Sequence, residues 1–344
     1  MRKGIHYDTG FISAGSTTRE PFDPQVVRRE MQIIRDDLHC DAVRVTGGYP
    51  ERLEIAATCA AEAGLEVWFC PFTHNLTSEE LLKLLADCAE RAERLRQRGA
   101  EVIFLTGSEL SLMTAGILPG DRLEDRAALL AEPHRVRQII PGLRARMKEL
   151  LGAAVEVVRS RFSGKVSYAS LPFEGVDWRP FDIISTDAGY RTVERAACFR
   201  ADIHAFVAQG QAQGKPVAVT EFGCATFRGA ADLGGRGDII EWGPGARPVG
   251  LKRECTRDEH EQARYVRELL EVFETESVDA AFVYTFARYD LVHRSAPQED
   301  FDMASAGLVK LLGEGCRGQR YPDMPWEPKA AFTALAEYYG ALGR

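Results

Sequence analysis

The chain has 344 residues, 45% of them hydrophobic and 27% charged, a composition that supports one large packed core. Its formal net charge of −8 removes any general attraction for phosphate backbones, so nucleic acid is not an expected partner. No run approaches the ~20 consecutive apolar residues of a membrane-spanning helix, so no membrane partner is expected either.

Gly4-Ile5-His6-Tyr7-Asp8 reads as the first strand. A helix follows over residues 24–38, with Asp23 as N-cap and Pro24 at its first position. Strand two is predicted over residues 42–46, and its helix runs through residues 53–63 to a stop at Gly64. Strand three covers residues 66–70 and is broken by Pro71; Ser78 then caps a long helix over residues 79–98. Trp68 reads as core. Strand four spans residues 101–106, and the irregular residues 110–132 predict an excursion over one end of the fold. Helical spacing resumes over residues 143–161. Strands five and six are expected at residues 166–170 and 182–186, and a helix at residues 193–209. Strand seven covers residues 217–220 and runs into a glycine-rich second excursion, residues 223–257. The remaining elements are a helix at residues 258–274, strand eight at residues 280–285 and a closing helix through Tyr339.

Strand followed by helix, eight times and without a linker, predicts an α/β fold of the (β/α)8 or TIM barrel type, one domain over residues 1–344 with extended loops after strands four and seven. An open doubly wound sheet would carry a glycine-rich phosphate turn after an early strand, and Gly47-Gly48 is too short for one. Met1-Arg2-Lys3-Gly4 enters the first strand at once, without the apolar stretch of a secretion signal, so a cytoplasmic location is expected. The eight cysteines (40, 59, 70, 88, 198, 224, 255 and 316) form no Cys-x-x-Cys pair. They read as small buried residues in a reducing compartment, not as a zinc or disulfide framework. No cofactor or metal is expected, and no sequence feature specifies an oligomeric state.

In a closed barrel the C-terminal ends of the strands face one mouth. That places His6 and Asp8 from strand one, Arg44 from strand two, and His74 beyond strand three around a common centre. Glu109 joins them from strand four, Asp187 and Tyr190 from strand six, Glu221 from strand seven and Arg288 from strand eight. Two carboxylates facing each other across such a mouth are the minimum equipment for cleaving a glycosidic bond. Trp178 and Trp242, in loops after strands five and seven, are candidates for stacking on a sugar face, with loop anchoring as the plainer reading. The mouth arginines 44, 191 and 288 suggest an anionic or strongly polar substrate. Plainer roles stand beside the chemical ones: Glu109 as a helix cap, Glu221 as an ion-pair partner of an arginine, His6 and His74 as satisfied core histidines.

Thr220-Glu221-Phe222-Gly223 resembles the nucleophile motif of the large superfamily of retaining glycoside hydrolases built on the (β/α)8 barrel. The resemblance covers essentially the whole chain. It implies that Glu109, ending strand four, is the acid/base and Glu221, ending strand seven, the nucleophile of a double displacement. It implies further that Arg44 contacts the nucleophile, that Tyr190 hydrogen-bonds to it, and that Trp326-Glu327-Pro328-Lys329 opens the closing helix. Two positions depart from the pattern. Ser108 stands where the superfamily has an asparagine that holds the sugar 2-hydroxyl, and Thr285-Phe286-Ala287-Arg288 lacks the tryptophan that underlies the sugar, leaving Phe286 as a substitute platform. The implied partner is a small glycoside or oligosaccharide, with transfer to an alcohol as a variant of the same chemistry. Two rivals remain: a metal-dependent amidohydrolase-like barrel, suggested by His6-Tyr7-Asp8 but lacking the strand-four lysine, and a sugar-binding barrel without catalysis.

Overall fold

A computed structural model describes residues 1–342 apart from 14, 131 and 237. Eight parallel strands close into a barrel: β1 (Arg2–Asp8), β2 (Ala42–Gly47), β3 (Glu66–Pro71), β4 (Val102–Ser108), β5 (Lys165–Ser170), β6 (Ile184–Thr186), β7 (Val217–Phe222) and β8 (Ala280–Val283), with β8 hydrogen-bonded back to β1. Each is a short apolar run buried on both faces, the pattern that parallel sheets covered by helices demand. Register aligns His6 with Arg44 and Arg44 with Trp68, so the charged positions of neighbouring strands share one layer. Trp68, Ile103, Leu105, Ala218 and Phe282 fill the barrel interior, with the Trp68 and Phe282 rings 4.8 Å apart.

The helices are α1 (Pro24–Asp36), α2 (Pro50–Glu62), α3 (Ser78–Gln97), α4 (Pro133–Arg159), α5 (Phe199–Gln213), α6 (Glu259–Thr275) and α7 (Ala330–Ala341). Asp23 caps α1 as expected, its carboxylate accepting from the Gln25 amide. The α3 cap is Thr77, one residue before the predicted Ser78, and it forms a capping box with Glu80. Helix α4 starts ten residues earlier than expected because Pro141 lies inside it; the proline reads as a breaker but is carried within the helix. The excursion after β4 is not irregular throughout: it holds short helices at Leu110–Met113 and Leu123–Leu130. The one after β7 holds a turn of helix at Ala230–Leu233 and a hairpin, Ile240–Trp242 with Pro248–Leu251. Residues 193–195 form only a 3-10 turn before α5.

The expected alternation fails at one place. Between β5 and β6, residues 171–183 contain a 3-10 turn at Pro172–Glu174 and no helix. The segment is held down by the ammonium group of Lys215, which donates to the carbonyls of Trp178, Arg179 and Phe181. On the opposite side of the barrel Glu30 of α1 is fully buried. It accepts from Tyr289 Oη at 2.5 Å, Trp326 Nε1 at 2.8 Å and Arg19 at 2.7 Å, as well as from the Tyr7 hydroxyl. Among the described residues no helix is long and apolar enough to cross a membrane.

Candidate active site

The ends of β4 and β7 aim two glutamates into the mouth. The ladder between β4 and β5 slips between Leu105 and Ser108, a bulge that redirects the end of the strand. Gly107 makes it with φ +128°, and a side chain there would meet Leu110 at 2.8 Å. Glu109 follows in the left-handed region, φ 49° and ψ 39°, a conformation that costs a non-glycine residue roughly 1–2 kcal/mol. It is also the N-cap of Leu110–Met113, so the capping position is real, although its side chain makes no cap bond. Its amide donates to Ala169 O at 2.9 Å, and the next two amides are tied as well: Leu110 N to Tyr168 Oη at 2.7 Å and Ser111 N to Glu174 at 3.1 Å. Beyond Glu221, Gly223 has φ +152° and approaches so near the Tyr284 carbonyl that a Cβ would sit 2.5 Å from it. The ends of β7 and β8 are thereby drawn together.

Around Glu221 the hydrogen bonds are unequal. Tyr190 Oη donates to its Oε1 at 2.5 Å, while Oε2 has the guanidinium of Arg44 at 3.7 Å. Arg44 is committed elsewhere: Nη1 donates to Asp187 Oδ1 at 2.7 Å and to Thr220 O at 2.9 Å, and Nη2 reaches Asp187 Oδ2 at 3.3 Å. Arg44 and Asp187 are both sealed from solvent, whereas Glu221 keeps 16% of its side chain exposed. Asp187 therefore sits beneath the mouth as the arginine's counter-ion. Ser108 donates to its Oδ2 at 2.5 Å, so the strand-four hydroxyl is turned toward the aspartate.

Electrostatics separate the two glutamates. Burial, then the charges of Glu221, Asp187 and Glu174, push the Glu109 carboxyl well above the ordinary carboxylate range. Burial and Asp187 raise Glu221 to about 7, against the opposing pull of Arg44 and the Tyr190 bond. Glu174, itself buried, sits at about 6 through desolvation and accepts from Tyr168 Oη, Leu171 N and Ser111 N. Of the pair, Glu109 holds its proton more tightly.

The other predicted residues divide. His6 spends both ring nitrogens on hydroxyls, Nδ1 with Thr285 at 2.9 Å and Nε2 with Thr46 at 3.0 Å, and burial lowers its pKa well below the usual imidazole value. Asp8 accepts from the Gly10 amide at 2.8 Å and the Thr18 hydroxyl, fixing the loop after β1. His74 is half-buried beside Phe11 and lines the mouth. Trp242, 41% exposed, stands at the mouth too. Trp178 is not there: it packs edge-on against Phe181, beside a cavity of about 530 Å³ left where a helix between β5 and β6 would stand. Phe286 is likewise elsewhere, fully buried against Trp326, so it offers no platform. Tyr284 occupies that side of the mouth, its ring 4.8 Å from His6 and its hydroxyl 3.4 Å from Arg288. Each mouth arginine is paired: Arg44 with Asp187, Arg191 with Glu268 at 2.7 Å, and Arg288 with Asp290 at 2.6 Å. Each of the three arginines therefore already has a carboxylate partner.

Tyr284, Tyr168 and Glu174 were missed by sequence reasoning. Tyr284 closes the strand-eight run and was readable as a strand-end residue; Glu174 lies in a loop without periodicity, and only the fold brings it to Glu109. Among the described residues no cluster of three or more histidine, cysteine or carboxylate side chains is arranged to hold a metal ion.

No family model matches the chain, and no curated protein matches it. Solved structures do. A β-glucuronidase from Parabacteroides merdae superposes with a TM-score of 0.56 at 17% identity, over 98% of this chain and 36% of that one. Bacteroides uniformis β-glucuronidase 2 gives 0.54 at 13% identity, over 100% and 34% of the two chains. Thermotoga maritima Cel5A, solved with cellobiose, gives 0.51 at 12% identity, over 88% and 96%. At these identities the likeness establishes a shared (β/α)8 barrel. The chain spans about a third of the length of the two glucuronidases.

Proposed function

We propose that the protein is a glycoside hydrolase that works by double displacement, with Glu221 as nucleophile and Glu109 as acid and base, on a small glycoside. The observation that carries this reading is the placement of two carboxyl groups at the ends of β4 and β7 in unequal electrostatic settings. Glycosidases among the fold neighbours support it. Tyr190 fixes Glu221 through Oε1, and the commitment of Arg44 to Asp187 leaves Oε2 with its lone pairs free to attack the anomeric carbon. As that bond forms, the glycosidic C–O bond breaks and its oxygen takes the proton of Glu109. Glu109, now a carboxylate, draws a proton from water; the hydroxyl adds to the anomeric carbon and Glu221 departs as a carboxylate. Eight free cysteines support placement in the cytoplasm.

The test is a panel of aryl glycosides with intact-protein mass spectrometry. A 2-fluoro sugar is expected to leave a covalent adduct on Glu221. Glu221→Gln is expected to abolish turnover, and Glu109→Ala to spare activated aryl substrates, which need no proton, far more than substrates with poor leaving groups. Full activity in both variants removes the reading. Binding of sugars without turnover by the unaltered chain supports the non-catalytic alternative.

A further inference from the structure

The mouth above Glu221 is walled like a well. The hairpin after β1, Ile12–Ser13 with Ser16–Thr17, reaches across to the hairpin of the excursion after β7, and the Ser16 hydroxyl donates to the Gly245 carbonyl. Beneath that bridge lies a cavity of about 680 Å³ bounded by Phe11, His74, Arg122, Trp242 and Asp290, which come from the loops after β1, β3, β4, β7 and β8. A smaller cavity of about 280 Å³ holds Glu221 and is lined by Tyr190, Tyr284 and Ile240. The two share Trp242 and Arg288. The larger lies within the ~300–1,000 Å³ typical of small-ligand sites, and the smaller lies just below it. A polymer cleaved in its middle must lie in a trough open at two ends, and the contact between the two hairpins obstructs one of them.

We propose that this site admits only the end of a sugar chain: a terminal neutral sugar seated beside Glu221, with Trp242 at the junction of the two cavities. The protein then removes single sugars from small glycosides and never cuts inside a polymer. The inference rests on the glycosidase reading above. The neutral class follows from the cavity that holds Glu221, where the lining cation is Arg288 and its guanidinium is taken up by Asp290 at 2.8 and 2.6 Å; Arg122 reaches only the outer cavity, 3.7 Å from Asp125. An anionic sugar would also meet the carboxylates of Glu221 and Asp290.

The experiment gives the full chain three substrates: neutral aryl monosaccharide glycosides, oligosaccharides labelled at the reducing end, and a soluble polysaccharide. Products are read at early times by mass spectrometry. The expected result is single sugars only, labelled chains shortened one unit at a time, and unchanged polysaccharide viscosity. Internal fragments or an early fall in viscosity overturn the inference and leave the glycosidase reading standing. No cleavage of any substrate overturns both. Replacing residues 243–246 by a tight turn opens the well, and its expected effect is a gain of about tenfold in kcat/KM for labelled oligosaccharides relative to aryl monosaccharides. Ser16→Ala, which removes only the bridging hydroxyl, is expected to move the same ratio in the same direction. An unchanged ratio in both variants overturns the role of the bridge.

Discussion

Arg44 Nη1 lies 2.7 Å from Asp187 Oδ1 and 3.7 Å from Glu221 Oε2, so the buried guanidinium belongs first to the aspartate. The charge of Asp187 raises the Glu221 carboxyl more than Arg44 lowers it. On the proposed mechanism Glu221 acts ionised, so activity rises as pH climbs through about 7, while Glu109 keeps its proton to well above the ordinary carboxylate range. Asp187→Asn keeps the shape and removes the competing charge. The acidic limb of the kcat/KM profile is expected to move to lower pH; a limb that stays in place contradicts this assignment.

Tyr190→Phe removes the hydrogen bond at Oε1, which favours the ionised form of Glu221. The acidic limb is expected to move to higher pH, opposite to Asp187→Asn. A bond to a charged group is worth about 1.5–3 kcal/mol, so kcat is expected to fall by roughly tenfold to a hundredfold. Steady-state kinetics across pH 5–9 read both effects.

The same carboxyl groups oppose folding at neutral pH. Each has a folded-state pKa above its unfolded value, so above about pH 4.3 the unfolded chain releases protons that the native state retains. Stability therefore declines as pH rises from that point and levels once the native carboxyl ionises, near 7 for Glu221. Glu221→Gln is expected to raise Tm at pH 7.5 by about 2–4 °C, and to do little at pH 4. Thermal melts at the two pH values check this.

Glu30 carries four hydrogen bonds in a fully buried setting, one of them to Arg19. Glu30→Ala leaves that arginine buried without its partner, a loss of about 3–5 kcal/mol. Urea unfolding is expected to show a lower midpoint with little change in slope.

Because Arg44, Arg191 and Arg288 are each paired with a carboxylate, neutral aryl hexosides are expected to be turned over at least about tenfold better than the corresponding uronides, a margin of ~1.4 kcal/mol. A screen in which uronides win contradicts that reading of the pairs.

Much of this architecture was legible in residue order. The eight strands, the N-caps near Asp23 and Thr77, and the convergence of Glu109 and Glu221 follow from apolar runs and their spacing, which one-dimensional sequence records faithfully. Pro141 hid the start of α4, because a breaker residue looks the same whether a helix ends at it or carries it. Phe286 looked like a platform by position, yet the chain turns after Val283, so its ring joins the outer layer while Tyr284 faces the mouth. Arg44 was read as the partner of Glu221, but the preference of a guanidinium between two carboxylates depends on distances of about an ångström that spacing does not encode. Glu30, on a helix, carried no signal at all, since a lone acidic residue among apolar ones usually marks the solvent side.

Where β5 passes to β6, Glu109's neighbour Glu174 hangs from a loop held by the side chains of Lys215, Arg144 and Arg159, not from a rigid helical rod. Thermal loosening of that loop would free Glu174, release the Ser111 amide beside Glu109, and leave Tyr168 Oη, which holds the Leu110 amide, without its own acceptor. Heat should then silence the chemistry while the eight-stranded ring still stands, with inactivation running ahead of the global melt.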